Sequence, residues 1–215
     1  MMKIEHKAFP NYGYSIATIP DDILLKIKEE VALIENAIED HPKIQKNLAG
    51  HLEYQFYLDR CQTLIESTVL EMAGEYMLAW NYKSEILRKH PSVKTISFKL
   101  DPIWVNFQKK TEYNPLHDHT GVFSFVIWVN IPYDLKTEME MPCVSSSNYP
   151  LATTFNFVYT NVFGEITMLP FFAESKYEGT VLFFPSQMKH LVYPFLSSDK
   201  HRITISGNVI VDSTM

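Results

Sequence analysis

The chain has 215 residues, of which 46% are hydrophobic and 13% aromatic, and its formal net charge is −6 at neutral pH. This hydrophobic content excludes a disordered tail, and the length suits a single domain over residues 1–215 with a sizeable core. The acidic balance and the lack of Lys/Arg runs argue against a protein that binds nucleic acid mainly by neutralising phosphates.

Cysteine usage and the opening residues bear on the compartment. The two cysteines, Cys61 and Cys143, lie far apart and have no CxxC spacing. This pattern predicts a reducing compartment and excludes a thiolate metal cluster. The first residues, MMKIEHKAFPNYG, lack the apolar core of a signal peptide, and no window reaches membrane-spanning length. We therefore expect a cytoplasmic protein without a membrane partner.

Two segments of the first half have the periodicity of amphipathic helices. The first begins at Asp21 or Asp22, ends near His41-Pro42, and has apolar residues at Ile23, Leu24, Ile27, Val31, Ile34 and Ile38. The second has apolar residues at Leu64, Ile65, Val69, Met72, Tyr76 and Trp80, and His90-Pro91 closes this half. The pattern predicts a helical part over about residues 20–90.

The second half consists of short segments rich in β-branched and aromatic residues. They are separated by Pro, Gly, Asn and Ser, and they read VKTISFKL, GVFSFVIWVNIP, ATTFNFVYTNVFGEITML, GTVLFFP and HRITISGNVIV. Because no helical pattern lies between them, we expect mainly antiparallel sheets in a sandwich or jelly roll over about residues 94–212. The fold class is thus α+β and mainly β, with the N-terminal helices packed on an outer sheet face.

The polar, turn-rich segment 134–150, DLKTEMEMPCVSSSNYP, lies between two of these strands. Its composition predicts a loop at the rim that could close over an extended ligand. A solvated surface loop without a role is an equally good interpretation of the same composition.

The stretch NPLHDHTG, residues 114–121, carries two histidines on either side of an aspartate. If it is extended, His117 and His119 point to one face and Asp118 to the other, with the two histidine Cα atoms about 6.5 Å apart. Two imidazoles at that separation can bind one metal ion. The alternative is a pair of polar residues at a strand end beside a turn.

Further polar residues follow in GTVLFFPSQMKH and in the last strand, RITISGN. A turn begins at Pro185-Ser186, and His190 opens the next apolar segment. Taken alone, His190 is typical of a surface or capping histidine. In the last strand a period of two puts Arg202, Thr204, Ser206 and Asn208 on one face. Such a face is either the solvated side of an edge strand or an Arg fork and hydroxyl that grip a carboxylate.

This order of motifs resembles the iron(II)- and 2-oxoglutarate-dependent oxygenases. The resemblance is to a prolyl-4-hydroxylase-like branch with many phage and marine bacterial members, and it covers residues 96–211, about half the chain. The motifs that carry it are WVN at 104–106, HDHTGVFSFVIWV at 117–129, GTVLFFPSQMKH at 179–190 and RITISGN at 202–208. It implies a double-stranded β-helix, a cupin-like jelly roll, and the cytoplasm of the host if the chain is phage-encoded.

The resemblance also implies site residues. His117 and His190 would ligate iron(II), and Arg202 with Thr204 would hold the distal carboxylate of the co-substrate 2-oxoglutarate. Most of the family has HxD where this chain has HxH, so three assignments of the last position stay open, in order of preference. His119 is the third ligand, or a local bulge turns Asp118 inward, or His119 is the first ligand and Gly121 marks a vacant position, as in halogenating members.

The implied activity is hydroxylation of a peptidyl, first of all prolyl, or amino-acid substrate, with release of succinate and CO2. A nucleic-acid substrate is not supported, because the segment 134–150 is acidic. Two alternatives stay open. The first is a three-His cupin-type metalloenzyme that does not use 2-oxoglutarate, which would leave Arg202 without a role. The second is a non-catalytic binding module, which would leave the histidines unexplained.

Overall fold

The computed structural model describes residues 5, 11–44 and 48–212. Most of the opening segment in which no signal peptide is expected lies outside the described residues, as do the two ends of the predicted domain. None of the helices in the described ranges combines the length and the apolar character needed to cross a membrane.

The predicted helical part contains three helices: α1 (Asp21–Asn36), α2 (Gln62–Ala79) and α3 (Lys83–Lys89). The helix α1 begins at the predicted aspartate, but it ends five residues before His41. The predicted second stripe forms α2, and the chain then turns at Asn81, whose φ is +49°. The short helix α3, which the apolar spacing does not reveal, follows and ends before His90.

The strands form two antiparallel sheets, as the sequence predicts. The larger sheet has the order β1-β9-β6-β11-β4-β2, and β3 also pairs with β11. Its strands are β1 (Ser15–Thr18), β2 (Tyr54–Tyr57), β3 (Phe98–Leu100), β4 (Trp104–Gln108), β6 (Phe123–Asn130), β9 (Thr180–Pro185) and β11 (Arg202–Val211).

The smaller sheet has the order β5-β10-β7-β8. It consists of β5 (Asn114–His117), β7 (Thr154–Thr160), β8 (Ile166–Phe172) and β10 (His190–Val192). The free edge strand β8 contains Pro170, which has no N–H to donate to a further strand. Both sheets are open, because neither closes on itself.

The two faces of the larger sheet have different partners, and this follows from the side-chain period of two. One face packs against α1 and α2 in a core that includes Ile27, Val31, Ile65, Val69, Phe123, Ile127, Val181 and Phe183. The other faces the smaller sheet, in a core of aromatic and aliphatic residues that includes Val126, Trp128, Phe155, Phe157, Leu182 and Phe184. The helices therefore cover the outer face of a sheet, as predicted.

The segment 134–150 differs from its predicted loop structure. It folds into α4 (Leu135–Glu140) and α5 (Pro142–Ser145), with Asp134 capping α4 by accepting the Thr137 N–H at 2.9 Å. Glu138 is fully buried. Its carboxylate accepts the backbone N–H groups of Leu196 and Ser197 at 2.8 and 2.7 Å. The helix therefore anchors the connection between β10 and β11.

We expect Glu138→Ala to lower the free energy of unfolding by about 1–3 kcal/mol, because it leaves two partly buried N–H groups without an acceptor. Urea denaturation followed by circular dichroism measures this change. The matched control is Glu140→Ala, since Glu140 is exposed on the same helix and makes only a long 3.8 Å ion pair with Lys136. The control should cost less than about 0.5 kcal/mol, and an equal loss in both variants would refute the anchoring role of Glu138.

Candidate metal centre

Three histidines, two on neighbouring strands of the smaller sheet and one just after the first of these strands, lie together. His117 ends β5 and His190 begins β10, and the two are register partners in the antiparallel pair. His119 follows β5, and its backbone N–H donates to the Ser186 carbonyl at 2.9 Å. One ligand atom from each imidazole lies within 4.8 Å of the others. In the described part of the chain no other group of three such side chains is close enough to hold a metal ion.

Backbone carbonyls fix the orientation of two of these rings. The Nδ1–H of His117 donates to the Pro115 carbonyl at 2.7 Å, and the Nδ1–H of His190 donates to the Met188 carbonyl at 2.8 Å. A carbonyl can only accept, so each Nδ1 carries the proton and each Nε2 keeps its lone pair. A carbonyl that holds Nδ1–H in this way orients the ring and leaves Nε2 free to bind a metal ion.

Burial lowers the pKa of all three imidazoles. The pKa of His190 is held well below its usual value, first by burial among Phe155 and Phe184 and then by the neighbouring His117. Burial and His117 lower the pKa of His119 to about 4. Burial also lowers the pKa of His117, although its bond to Pro115 opposes the shift. The three rings are therefore neutral at neutral pH, which is the form that ligates metals.

The spacing of the nitrogens fits a metal ion. The Nε2 atoms of His119 and His190 are 3.2 Å apart. Two nitrogens at about 2.1 Å from one ion and at right angles to each other would be about 3 Å apart. Three imidazoles on one side of an ion leave the other side open, as in the facial arrangement of non-haem iron sites. The donor set therefore fits iron(II).

Asp118 and Gly121, the residues of the two alternative assignments, each have contacts outside the histidine cluster. The Asp118 carboxylate accepts from Lys189 Nζ at 2.6 Å on the exposed side of the β5–β10 pair, and this bond lowers its pKa. Gly121 has a φ of +95°, and a Cβ there would meet the Val209 carbonyl at 3.0 Å. This glycine therefore packs against β11.

The last strand has the predicted alternation. Ile203, Ile205 and Val209 are in the core under the helices. On the other face Arg202, Thr204 and Ser206 line a cavity of about 60 Å³ that His117, His119 and His190 also line. Arg202 is thus an interior residue. The alternative of a solvated edge-strand face is wrong, because β11 is a central strand with β4 and β6 on its two sides.

Arg202 differs from its predicted geometry in one respect, because its fork already has protein partners. Nε and Nη2 both donate to Gln108 Oε1, at 3.1 and 2.7 Å. Nη1 donates to the Tyr133 hydroxyl and the Thr153 carbonyl, and Nη2 also donates to the Tyr193 carbonyl, each at 3.0 Å. All five N–H groups are therefore engaged. The acceptors are neutral, and no carboxylate among the described residues forms an ion pair with this guanidinium.

Several cavity-lining residues are not identified by sequence reasoning. The connection before β2 contributes Leu48, Ala49, Gly50 and Leu52 to the cavity wall, whereas no residue of 134–150 lines it. Gln55 and Asn106 join the polar row of β11, because Asn106 accepts from Gln55 at 2.7 Å and donates to Thr204 and Ser206 at 3.2 Å. An alternating pattern on β2 could have suggested Gln55, whereas Asn106 belongs to the WVN motif at 104–106. No sequence signal marks the wall residues, because they come from an irregular segment.

Two open antiparallel sheets, with three convergent imidazoles and a buried guanidinium around one cavity, are the features of a jelly-roll metalloenzyme. Residues 102–208 match the family model described as "Putative 2OG-Fe(II) oxygenase". The chain belongs to this family, the iron(II)- and 2-oxoglutarate-dependent oxygenases. It is therefore an enzyme, and its cofactors are iron(II) and 2-oxoglutarate.

Solved structures with the same fold include a prolyl-4-hydroxylase from Pseudomonas putida, with 13% identity, a TM-score of 0.55 and 91% coverage of both chains. AviO1 from Streptomyces viridochromogenes has 11% identity and a TM-score of 0.54, with 96% of this chain and 92% of AviO1 covered. EvdMO1 has 13% identity and a TM-score of 0.56, with 96% of this chain and 49% of EvdMO1 covered. These similarities confirm the predicted jelly-roll fold. No protein with a curated description matches the sequence.

Proposed function

We propose that this oxygenase hydroxylates a peptidyl or amino-acid substrate, with iron(II) held by His117, His119 and His190. The observation that carries the proposal is the cluster of three imidazoles within 4.8 Å in a cavity that also contains a buried guanidinium. When bound, iron(II) and 2-oxoglutarate supply the oxidising chemistry: dioxygen is consumed, 2-oxoglutarate becomes succinate and CO2, and one oxygen atom enters a C–H bond of the substrate.

Arg202 and Thr204 are proposed to receive the distal carboxylate of 2-oxoglutarate. Arg202 is the one Lys or Arg side chain among the described residues that line the cavity, and it is 1% exposed. A buried charge without a counter-ion is costly, and an anionic ligand would offset that cost. The Thr204 hydroxyl accepts from Asn106, so its own proton is available to a second acceptor.

The remaining walls of the cavity exclude water and hold the imidazoles in place. Phe155 stacks on His190 with the ring centroids 5.1 Å apart, and Phe184 packs edge-on at 5.0 Å. Trp104 packs beside His119, with ring centroids 6.2 Å apart. These contacts hold the histidines in one rotamer and keep the local dielectric constant low, which strengthens each electrostatic contact inside the site.

The third ligand is tested by comparing two neighbouring residues. We expect His119→Ala to weaken iron(II) binding by more than about 100-fold, and Asp118→Asn to weaken it by less than about 10-fold, because outer residues contribute less than ligands. Anaerobic isothermal calorimetry with iron(II) measures both. If Asp118→Asn proves the more damaging change, the carboxylate is the ligand and the assignment of His119 is wrong.

The shape of the surface beside the histidines favours an extended substrate. An open hollow of about 430 Å³ is lined by His117, His119 and Trp104. A second hollow of about 630 Å³, beside α1 and β2, adjoins it, because Tyr57 and Pro102 line both. A peptide that presents one side chain to the metal would have room to continue from the first hollow into the second.

The charge of this double hollow favours a peptide over a nucleic acid. Its described lining residues include four carboxylates, Glu30, Asp59, Asp101 and Asp118, and one guanidinium, Arg60. Because Lys189 pairs with Asp118, two net negative charges remain. A phosphate backbone would meet local repulsion there, whereas a peptide with basic residues would be attracted. Proline-containing peptides with lysine flanks are therefore the first substrates to try.

Two measurements test the proposed function. Anaerobic addition of 2-oxoglutarate to the iron(II) protein should give the visible charge-transfer band of the chelated co-substrate, and its absence would contradict the cofactor assignment. The loaded enzyme is then given prolyl peptides with lysine or glutamate flanks, free amino acids, or single-stranded DNA. We expect succinate release above background and a mass gain of one oxygen atom with the lysine-flanked peptide. Stimulation by DNA alone would refute the substrate class.

A further inference from the structure

Thr153 has two unfavourable features that no neighbouring residue explains. It is fully buried, and its hydroxyl has no hydrogen-bond partner within the described ranges. Its φ is +68°, in the left-handed region that a β-branched residue rarely adopts. A glycine would avoid both costs. Strained backbone and unpaired buried polar atoms of this kind occur together at ligand sites, where the surrounding structure imposes them.

The position of Thr153 is fixed from both sides of its backbone. Its N–H donates to the Pro194 carbonyl at 2.9 Å, and its carbonyl accepts from Arg202 Nη1 at 3.0 Å. Thr153 also lines the cavity that the three histidines line. The unpaired hydroxyl therefore belongs to a residue that directly contacts the buried guanidinium, at the wall of the candidate active site.

The N–H groups of Arg202 already have acceptors, so an anion beside this residue needs hydrogen-bond donors from elsewhere. Its Nε and Nη2 are occupied by Gln108, and its other N–H groups by Tyr133, Thr153 and Tyr193. A carboxylate beside this guanidinium gains charge compensation, but no N–H of the fork is free to donate to it. Since a carboxylate can only accept hydrogen bonds, it needs donors from other side chains.

We propose that the Thr153 hydroxyl donates a hydrogen bond to the distal carboxylate of 2-oxoglutarate, while Arg202 compensates the charge of that carboxylate. This assignment rests on the proposed function, and it adds a binding residue that lies outside every motif of the sequence. It accounts for the threonine at a left-handed position, because Gly, Ala and Val lack the hydroxyl that the carboxylate requires.

The test compares two keto acids that differ only in the distal carboxylate, 2-oxoglutarate and 2-oxobutyrate, on the iron(II) protein under anaerobic conditions. Thr153→Val keeps the shape and the backbone strain but loses the hydroxyl, and Thr153→Ser keeps the hydroxyl. We expect Thr153→Val to raise the Kd of 2-oxoglutarate by about 10–100-fold, the loss typical of a hydrogen bond to a charged group. The Kd of 2-oxobutyrate should stay within a factor of two or so of wild type, and Thr153→Ser should resemble wild type in both.

A second readout needs no ligand. Because Thr153→Val removes an unpaired buried hydroxyl, we expect the Tm of the ligand-free variant to rise by about 2–4 °C. A variant that is more stable but binds 2-oxoglutarate more weakly is the signature of a binding residue, since a merely structural residue would lose stability on replacement.

The contrary outcomes separate this proposal from the proposed function. If wild type favours 2-oxoglutarate over 2-oxobutyrate and Thr153→Val keeps the full preference, the role of Thr153 is refuted and the cofactor assignment stands. Equal weakening of both keto acids also refutes it, because the hydroxyl would then act on the shared end of the ligand. If wild type binds neither keto acid, the proposed function fails together with this inference.

Discussion

His190→Ala is expected to lose stoichiometric iron(II) binding, with an affinity more than about 100-fold below wild type, because removing a ligand costs more than the 10–100-fold typical of outer residues. His190 is the most buried of the three imidazoles, and its Nδ1 is held by the Met188 carbonyl at 2.8 Å. No other described His, Cys, Asp or Glu side chain is placed to replace the Nε2 atom of His190 as a metal ligand. Metal content after anaerobic reconstitution, measured by inductively coupled plasma mass spectrometry, reports the loss.

Two further variants make this result interpretable. His117→Ala should lose the metal to a similar extent. Because His117 is less buried than His190, this substitution perturbs the packing less. His90→Ala removes a histidine that caps α3 and does not line the cavity, and should bind iron(II) like wild type. Far-ultraviolet circular dichroism confirms that each variant is folded. Stoichiometric iron(II) in folded His190→Ala would refute the three-histidine site.

Arg202→Met is expected to raise the Kd of 2-oxoglutarate by more than about 30-fold, because losing one partner of a desolvated charged pair costs about 2–5 kcal/mol. Iron(II) binding should be nearly unchanged, since Arg202 holds none of the imidazoles. Anaerobic titration of the iron(II) protein, followed by the charge-transfer band, gives the Kd. An unchanged 2-oxoglutarate affinity would remove Arg202 from the co-substrate site.

The Arg202→Met experiment needs a control, because Arg202 also holds neighbouring groups in place. Arg202 is the donor for Gln108, Tyr133 and two backbone carbonyls, so Arg202→Met also leaves these groups unpaired and lowers the stability. Arg202→Lys keeps the charge but loses the planar fork, and should have an intermediate Kd. Gln108→Ala removes the main partner without touching the charge. If Gln108→Ala weakens 2-oxoglutarate as much as Arg202→Met, the effect comes from the disturbed network.

The elements that sequence reasoning predicted best are those with a long, regular period. The stripe of α1 and the alternation of β11 each report a single buried face, so residues such as Val31 and Ile205 could be assigned to the core from spacing alone. The end of α1 and the break between α2 and α3 could not be predicted as well. They depend on turns at Ala37 and Asn81, and neither residue is a strong helix breaker.

Site residues that follow the alternation of a strand could be predicted from the sequence. Site residues that only tertiary contacts bring together could not. The HxH pair could be recognised as a chelating motif from its alternation, although His119 in fact lies just beyond β5. The partners of Arg202, in contrast, come from β4, from the connection between β6 and α4, from the stretch before β7 and from the residue after β10, and no local pattern joins them. The sequence predicts an acidic loop around Glu138, since the burial of this carboxylate depends on N–H groups that are distant in the chain.

The register pairing of His117 with His190 also has a kinetic consequence. In the chain, 71 residues separate His119 from His190, so an ion held by both closes a long loop, and long-range closure is the slow step in folding β proteins. Bound iron(II) would thus act as a removable cross-link across the line where β5 and β10 pair, the β5–β10 seam. It should slow unfolding, because the ion is held only while the seam is closed and therefore stabilises the native state. Hydrogen exchange at β5 and β10 should therefore respond most strongly to the metal.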